Sequence, residues 1–445
     1  MSLPILQGAR DWPVVLLPRA GEVDPEAGIE AAEAAGAWEA YRSAVSGLTP
    51  DGVISLVSES GLRGRGGGGF STGSKWRHCA SQPVRQRYVV ANGFEADPGA
   101  QVDRTLMELD PHAIIEGLAL AAWAVRAETA IIALRASAVT AAARLRRAVA
   151  EAETRGYIGP EAAQTGRPLH VEVRQLTGSF VVGEETVLLR ALESRRAQPD
   201  QRPPYPSQQG LWEKPTVVNN VKTLAAVPWI VRHGAGAYAA LGTPGAPGTT
   251  LIQLGGVVRK PGIVEVPLGA SVREVLDGPG GFVQGALKAV LVGGPSGGFL
   301  PPEALDTPLT PDDLGAAGAL AGSGTLLALD ESTCLVDLAS LMTRYLSDQA
   351  CGKTIPCRIG TRRLAELGSA FCSGHVRPTD AALLGDLARD MRDAALCGLE
   401  TEASNPLISG MRYFAAEFED HIVRGRCPAG VCGPIGGRRG ASQRP

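Results

Sequence analysis

Gly61-Leu-Arg-Gly-Arg-Gly-Gly-Gly-Gly-Phe-Ser-Thr-Gly-Ser-Lys-Trp76 is the stretch on which the reading of this chain turns. From Gly64 to Gly69 every residue but Arg65 is glycine. A run without Cβ atoms lets backbone N–H groups reach phosphate oxygens directly. Arg65 and Lys75 put a cation at either end, suited to a phosphate monoester or diphosphate. The loop lacks the GxxxxGK[ST] order of a Walker A motif. Nor is it a clean GxGxxG after a strand, because a helical pattern precedes it. On these residues alone a phosphate cradle and a merely flexible turn both stand.

Working outward, the chain alternates. Residues 51–60 read as a helix, 88–91 as a strand, 111–127 as a long helix and 130–135 as a strand. A helix at 138–155 and a strand at 170–174 follow, and such alternation argues for an α/β layer architecture. This α/β domain covers 46–245 and closes in the Pro/Gly-rich linker 242–248. Before it, residues 1–45 form an N-terminal extension with an Ala/Glu-rich helical stretch at 25–41 and nothing that suggests chemistry. Residues 246–329 change to short β-rich runs between Gly/Pro turns, with one helix at 271–277 opened by a Ser N-cap. They read as a compact β-grasp-like module. From 330 to 435 the pattern is helical (335–346, 358–369, 379–394, 406–423) with cysteines between helices, and 436–445 is a flexible tail.

Composition narrows the function. The 445 residues carry a formal net charge of -3 and no Lys/Arg-rich block, so nothing marks a nucleic-acid partner. The longest apolar stretch, 113–125, contains Glu116 and falls far short of the ~20 residues of a membrane span. It reads as a buried amphipathic helix. The opening MSLPILQGARDW has no basic region followed by an apolar one, so a secretory signal is not expected and a cytoplasmic location is. Thiols stay reduced there, so six of the eight cysteines falling between 351 and 432 suggest metal ligands rather than disulfides. Cys79 stands apart and reads as structural.

The glycine loop resembles the flavin and dinucleotide loop of the NADH-oxidising, FMN-bearing 51-kDa subunit of complex I-type dehydrogenases. Three later segments continue the likeness in order. Asn92-Gly-Phe-Glu-Ala-Asp-Pro-Gly99 with Asp103-Arg104 is similar to the family's NADEGEPG…DR. Gly178-Ser-Phe-Val-Val-Gly-Glu-Glu-Thr186 is similar to GAYICGEET, and Pro215-Thr-Val-Val-Asn-Asn-Val-Lys-Thr223 to PTVVNNVET. The resemblance covers about 50 to 435. It implies a Rossmann-like α/β FMN/NADH-binding domain, then a β-grasp (SLBB-like) domain, then a C-terminal helical bundle bearing an iron–sulfur site.

The resemblance also implies roles. Gly64, Arg65, Gly66, Gly67 and Lys75 would cradle phosphates. Asn92, Asn219, Asn220 and Thr223 offer neutral donors and acceptors for a ribityl chain and the polar edge of an isoalloxazine. Glu95 and Asp97 belong to the acidic segment beside flavin and nicotinamide, and Gly183 lets backbone approach the flavin ring. Glu184 or Glu185 would accept hydrogen bonds from the adenosine ribose of NADH, favouring NAD over NADP. Phe70, Phe180 and Tyr205 would flank the nucleotide. Three positions depart from the pattern: Phe94 replaces an Asp, Asp97 a Glu, and Lys222 the glutamate of NNVET.

The family's [4Fe-4S] ligands are C-x2-C-x2-C plus a distant Cys. Here Cys351-Gly-Lys-Thr-Ile-Pro-Cys357 has Thr354 at the middle position, and Cys397 is the distant ligand by resemblance. Four thiolates are the norm. Cys372 could substitute, the cluster could be incomplete or carry a non-Cys ligand, or the site could be empty. Near the end, His421, Cys427 and Cys432 suit zinc, with Cys334 or Cys372 as fourth ligand, or form a reduced pair at a frayed terminus. This CPAGxC tail is similar to that of the hydrogenase- and formate-dehydrogenase-associated branch.

The function implied is an NADH-oxidising electron-input subunit, passing electrons singly to iron–sulfur partners. One partner would be a separate thioredoxin-like [2Fe-2S] subunit, with attachment to the cytoplasmic face of a membrane through such subunits. The competing reading is a repurposed homologue, a flavin or assembly scaffold with a degenerate iron–sulfur site.

Overall fold

A computed structural model describes residues 3–160, 162, 165–283, 285–433 and 435. The expected tail at 436–445 lies outside the described residues, as do the first two residues of the expected extension. The chain divides into two compact units. One comprises residues through Gly178 with Val182–Gln253 and Gly262–Ala270; the other comprises Ser179–Val181, Leu254–Pro261 and residues from Ser271 onward.

The first unit is built on a parallel sheet. Strands β1 (Tyr88–Gly93), β2 (Thr129–Arg135), β3 (His170–Leu176) and β4 (Thr216–Asn220) lie in the order β3-β2-β1-β4. Central β1 is buried almost throughout, as its run Tyr-Val-Val-Ala predicts. Around the strands run α1 (Ile29–Ala34), α2 (Glu39–Gly47), α3 (Pro50–Glu59), α4 (Thr72–Ala80), α5 (Val102–Leu109) and α6 (Pro111–Val125). Then come α7 (Val139–Thr154), α8 (Glu185–Leu192), α9 (Val221–His233) and α10 (Ala235–Ala239). The chain leaves β1 for β2 and β3 on one side, then returns as β4 on the other. Strand order therefore reverses between β1 and β4, and the crevice beyond their C-terminal ends is where open α/β sheets bind ligands. Asn92 and Asn220 are register partners at that crevice.

Helix α6 is the pillar of this unit. Asp110 caps it by accepting from the Ala113 N–H, Pro111 opens it, and Arg126 in the left-handed region ends it. A Cβ on Gly117 would fall 2.0 Å from the Leu224 carbonyl, so this glycine is what lets α6 and α9 meet backbone to backbone. Glu116 is buried in α6 and accepts the N–H groups of Trp38 (2.8 Å) and Tyr41 (3.0 Å). The helix expected at 25–41 is broken there. Gly36 (φ +87) and Trp38 (φ 64) turn the chain, and the Trp38 indole stacks on Tyr157 at 4.5 Å. The N-terminal segment is thus integral to the first unit: Glu265 also takes the N–H groups of Val15, Leu16 and Leu17. Helices α4 and α9, which position the site, were not anticipated.

The short ribbon β5 (Gly242–Thr243) with β6 (Ala246–Pro247) leads into β7 (Thr249–Gly256) and β8 (Gly262–Pro267). In the second unit β9 (Leu287–Val292), β10 (Gly298–Leu300) and β11 (Thr325–Asp330) pair antiparallel in the order β10-β9-β11. Helix α11 (Val272–Asp277) opens on the expected Ser271, which forms a full capping box with Glu274. After α12 (Pro311–Ala316) come α13 (Leu335–Gln349), α14 (Ile355–Ser373), α15 (Asp380–Asp393), α16 (Gly398–Glu402), α17 (Asn405–Tyr413) and α18 (Ala415–Ile422). The single helix expected at 406–423 is two, broken at Phe414 (φ -123, ψ 40). Gly410 admits the Phe418 ring, which a Cβ there would meet at 2.7 Å, so the second segment folds back to pack. Among the described residues no helix is long and apolar enough to cross a membrane.

Candidate flavin, nucleotide and metal sites

The glycine loop is hung on the junction of β4 and α9. The Arg65 N–H donates to Thr223 Oγ1 (2.9 Å), and a Cβ on Gly66 would stand 3.1 Å from Asn220 Cβ. The Arg65 guanidinium, expected at the phosphate, points inward instead. It donates to the carbonyls of Thr249, Pro247 and Arg63 and to the Tyr238 hydroxyl. A buried guanidinium must satisfy its donors, and here protein oxygens do so. Both the guanidinium and the backbone N–H of Arg65 are thus engaged by the protein itself. Helix α4 begins just after the loop, adding the partial positive charge of a helix N-terminus. Thr72 Oγ1 in its first turn is buried without a hydrogen-bond partner.

The crevice floor is amide-rich. Asn92 Nδ2 donates to the Gly183 carbonyl (2.8 Å) while its Oδ1 accepts from the Phe94 N–H. Asn219 Oδ1 accepts from Trp76 Nε1 (2.8 Å). Asn220 Nδ2 donates to Asp103 (2.6 Å), and its Oδ1 caps α9. A Cβ on Gly183 would reach Ala96 Cβ at 2.9 Å, so this glycine lets the chain pass close to Ala96. Glu95, with φ 44, accepts from the Asp103 and Arg104 N–H groups. Burial, then the charge of Asp103, pushes its carboxyl up to about 7. Asp97 closes a turn by accepting from the Gly99 N–H.

The departures resolve differently. Phe94 is fully buried with the Arg135 guanidinium 5.2 Å from its ring centroid, so it cannot stack on a flavin or nicotinamide as an exposed aromatic could. Lys222, also buried, places its ammonium on the Asp103 carboxylate.

Glu184 and Glu185 sit at the start of α8 but divide the work. Glu184 is the N-cap, accepting from the Thr186 and Val187 N–H groups, and burial raises its pKa. Glu185 meets Lys75 Nζ at 2.8 Å and Arg202 at 3.2 Å. Lys75 is thus tied to Glu185 and the Val218 carbonyl. Phe70 and Tyr205 are exposed, available to a nucleotide. Phe180 groups with the second unit, its ring edge-on to Tyr345 at 6.1 Å and its N–H donating to Gln349. Sequence reasoning missed Asp103, Trp76 and Arg202. Asp103 and Trp76 lay inside quoted motifs, whereas Arg202 carried no local signal.

In the second unit Cys351 lies between α13 and α14, Cys357 in the first turn of α14, and Cys397 at the N-cap of α16. Burial, then the charges of Glu400, Cys397 and Cys351, push the Cys357 thiol up to about 12. Glu400, Cys397 and Cys351 are thus close enough to Cys357 for their charges to act on it. Cys372, offered as a substitute ligand, is not there. It bonds to Cys432 and Ser340, beside Asp337.

Cys372 adjoins a second constellation. Cys334, His421, Cys427 and Cys432 are all buried, with ligand atoms within 4.8 Å of one another. Cys334 Sγ stands 3.3 Å from His421 Nε2 and 3.8 Å from Cys432 Sγ, and Cys432 Sγ lies 3.6 Å from that nitrogen. Tetrahedral zinc with Zn–S of ~2.3 Å has ligand edges of about 3.7 Å. His421 Nδ1 is held at 2.8 Å by the Glu417 carbonyl, leaving Nε2 for the metal. The hydrogen bond from Cys432 draws the Cys334 thiol down to about 4. Cys334, at the N-cap of α13, is the fourth member, 87 residues from His421 in sequence.

A parallel sheet with a glycine loop, paired asparagines and acids at its reversal point has the form of a nucleotide-binding α/β fold. Comparison with known proteins agrees. Residues 57–229 match the Nuo51 FMN-binding domain, 251–300 the SLBB domain, and 337–421 the NADH-ubiquinone oxidoreductase-F iron-sulfur binding region. The chain is 40% identical over 414 residues to the HndC component of the NADP-reducing hydrogenase of Solidesulfovibrio fructosivorans, covering 93% of this chain and 84% of that one. It is 40% identical to the F 2 component of the NADH-quinone oxidoreductase of Rhizobium meliloti, covering 89% and 94%. A crystal structure of an NAD+-reducing [NiFe]-hydrogenase superposes with a TM-score of 0.80 at 32% identity, covering 95% of this chain and 68% of that one. The chain belongs to the family of FMN-bearing, NADH-oxidising flavoprotein subunits of complex I-type dehydrogenases and related hydrogenases.

Proposed function

We propose that this chain admits electrons from NADH to a multi-subunit oxidoreductase, with the crevice between β1 and β4 as the point of entry. The observation that carries the reading is the meeting of the Cβ-free backbone at Gly66 with Asn220 and, through the sheet register, Asn92. FMN, when bound, accepts a hydride and releases its electrons singly. The chain's own residues bind and orient rather than perform acid–base chemistry. Gly64, Gly66 and Gly67, with the start of α4, receive the phosphate. Asn92, Asn219, Asn220 and Thr223 hold the polar edge, Glu95 and Asp97 shape the rim, and Gly183 leaves room for the ring.

Glu185 takes the ribose hydroxyls of the dinucleotide, its charge held by Lys75 and Arg202, while Glu184 fixes the turn. Phe70 and Tyr205 cover the nucleotide. Cys351, Cys357 and Cys397 hold an iron–sulfur cluster, and Cys334, His421, Cys427 and Cys432 a structural zinc. Electrons pass to further iron–sulfur subunits, including a thioredoxin-like [2Fe-2S] chain, in a cytoplasmic assembly peripheral to the membrane.

The test is a bleach. Purified anaerobically with its partners, the protein should show flavin absorbance that NADH abolishes. Bound flavin that NADH leaves oxidised would exclude this reading and favour a non-catalytic scaffold.

A further inference from the structure

The position that departs from the family's three-cysteine motif is occupied by a built arrangement. Thr354 is the N-cap of α14, its Oγ1 accepting from the Cys357 N–H at 3.3 Å. The same hydroxyl donates its proton to Glu400 Oε1 at 2.6 Å. Thr354 is therefore engaged in both directions. Glu400, three residues beyond Cys397 in α16, is only 2% exposed, and its Oε2 accepts from the Leu396 N–H at 3.0 Å. A carboxylate so deeply buried is costly unless its charge is compensated. Hydrogen bonds supply part of that compensation. Through Thr354 the carboxylate is held against the first turn of α14, which carries Cys357, and each carboxylate oxygen keeps a lone pair.

We propose that Glu400 is the fourth ligand of the iron–sulfur cluster, its carboxylate binding the iron that Thr354 leaves without a thiolate. The assignment rests on the electron-input reading, since it presumes a cluster held by Cys351, Cys357 and Cys397. Ligation forms one Fe–O bond from an existing lone pair, moves no electron, and leaves the Thr354 proton on threonine. Three thiolates and one carboxylate supply the same four negative charges as four thiolates. Oxygen is a harder donor than sulfur, so one iron of the cluster is the labile one. Thr354 acts as a positioning residue, aiming the carboxylate while it starts α14.

The full-length chain, reconstituted anaerobically with iron and sulfide, tests this by metal analysis, EPR and Mössbauer spectroscopy. The wild-type chain should hold about four irons, one distinct in its Mössbauer parameters as oxygen-ligated. Glu400→Ala should lose that iron and yield a three-iron cluster. Glu400→Gln, which keeps an acceptor for Thr354 and so guards against simple misfolding, should do the same. Glu400→Cys should retain about four irons with four equivalent sulfur-ligated sites. Unchanged iron content and spectra in both Glu400→Ala and Glu400→Gln would overturn the assignment. So would a wild-type chain that takes up no iron while NADH still bleaches its flavin, an outcome that leaves the electron-input reading intact. A flavin that NADH fails to bleach in a chain with an oxygen-ligated cluster would fail that reading and spare this one.

Discussion

Lys222 and Asp103 form a buried ion pair beneath the candidate flavin crevice, with side chains 4% and 8% exposed. Asp103 also receives Asn220 Nδ2, so the pair reaches the crevice floor through one residue. Removing one partner of a buried pair leaves an uncompensated charge, at a cost of roughly 3–5 kcal/mol. Lys222→Met should lower the melting temperature markedly and weaken FMN retention. The double change Lys222→Met with Asp103→Leu should recover much of the stability. Equal losses in single and double variants would show that the pair is not the source.

The glycine loop makes a second prediction. Gly66→Ala sets a Cβ 3.1 Å from Asn220 Cβ, so the loop or the asparagine must give way. FMN affinity, followed by fluorescence quenching on titration of apoprotein, should fall by about tenfold, corresponding to about 1.4 kcal/mol. Gly68→Ala meets only the Phe70 ring, at 3.2 Å, which can turn away in solvent. It should cost less.

Dinucleotide choice supplies a third. Glu185 is clasped by Lys75 and Arg202, and neutralising it leaves two cations facing the place proposed for the ribose. Glu185→Gln should raise relative kcat/KM for NADPH over NADH by about tenfold or more. An unchanged preference would remove Glu185 from the ribose.

The four-ligand cluster of the second unit makes a fourth. Plasma emission analysis should find about one zinc per chain, and Cys427→Ser should reduce it strongly while lowering thermal stability. Flavin bleaching by NADH should persist.

Glu116 carries a pH signature. Burial holds its carboxyl up at about 7, above the ordinary 4.5, although the Trp38 and Tyr41 N–H groups pull it down. Between these values the folded chain binds more protons than the unfolded one, so this residue's contribution to stability falls as pH rises. Glu116→Gln loses one acceptor and should be the less stable protein near pH 4.5. Thermal melts should show its deficit relative to wild type shrinking as pH approaches about 7. A deficit that stays constant would contradict that sign.

Strands and long helices were legible because their signals are local: the apolar run of β1, the Asp-Pro start of α6, the Ser cap of α11. The break at Trp38 was not, because it depends on a carboxylate 78 residues away. Site residues in contiguous motifs could be named from the sequence, but the direction a side chain takes could not. Arg65 shows why: a cation in a glycine loop suggests a phosphate, yet four protein oxygens claim it. Cys334 could be offered from the sequence only as one of two fourth ligands beside Cys372, and Glu400, with no motif of its own, acquires meaning only where chain folding delivers it.

The inward turn of Arg65 bears on how the molecule comes to be made. Its guanidinium reaches the carbonyl of Thr249, 184 residues later, and its backbone reaches Thr223. Contacts of such sequence separation form slowly, because a long loop must close before they reward it. A chain still emerging from a ribosome lacks the Thr249 carbonyl until that residue appears, so this fastening of the glycine loop can form only after more than half of the sequence has been made.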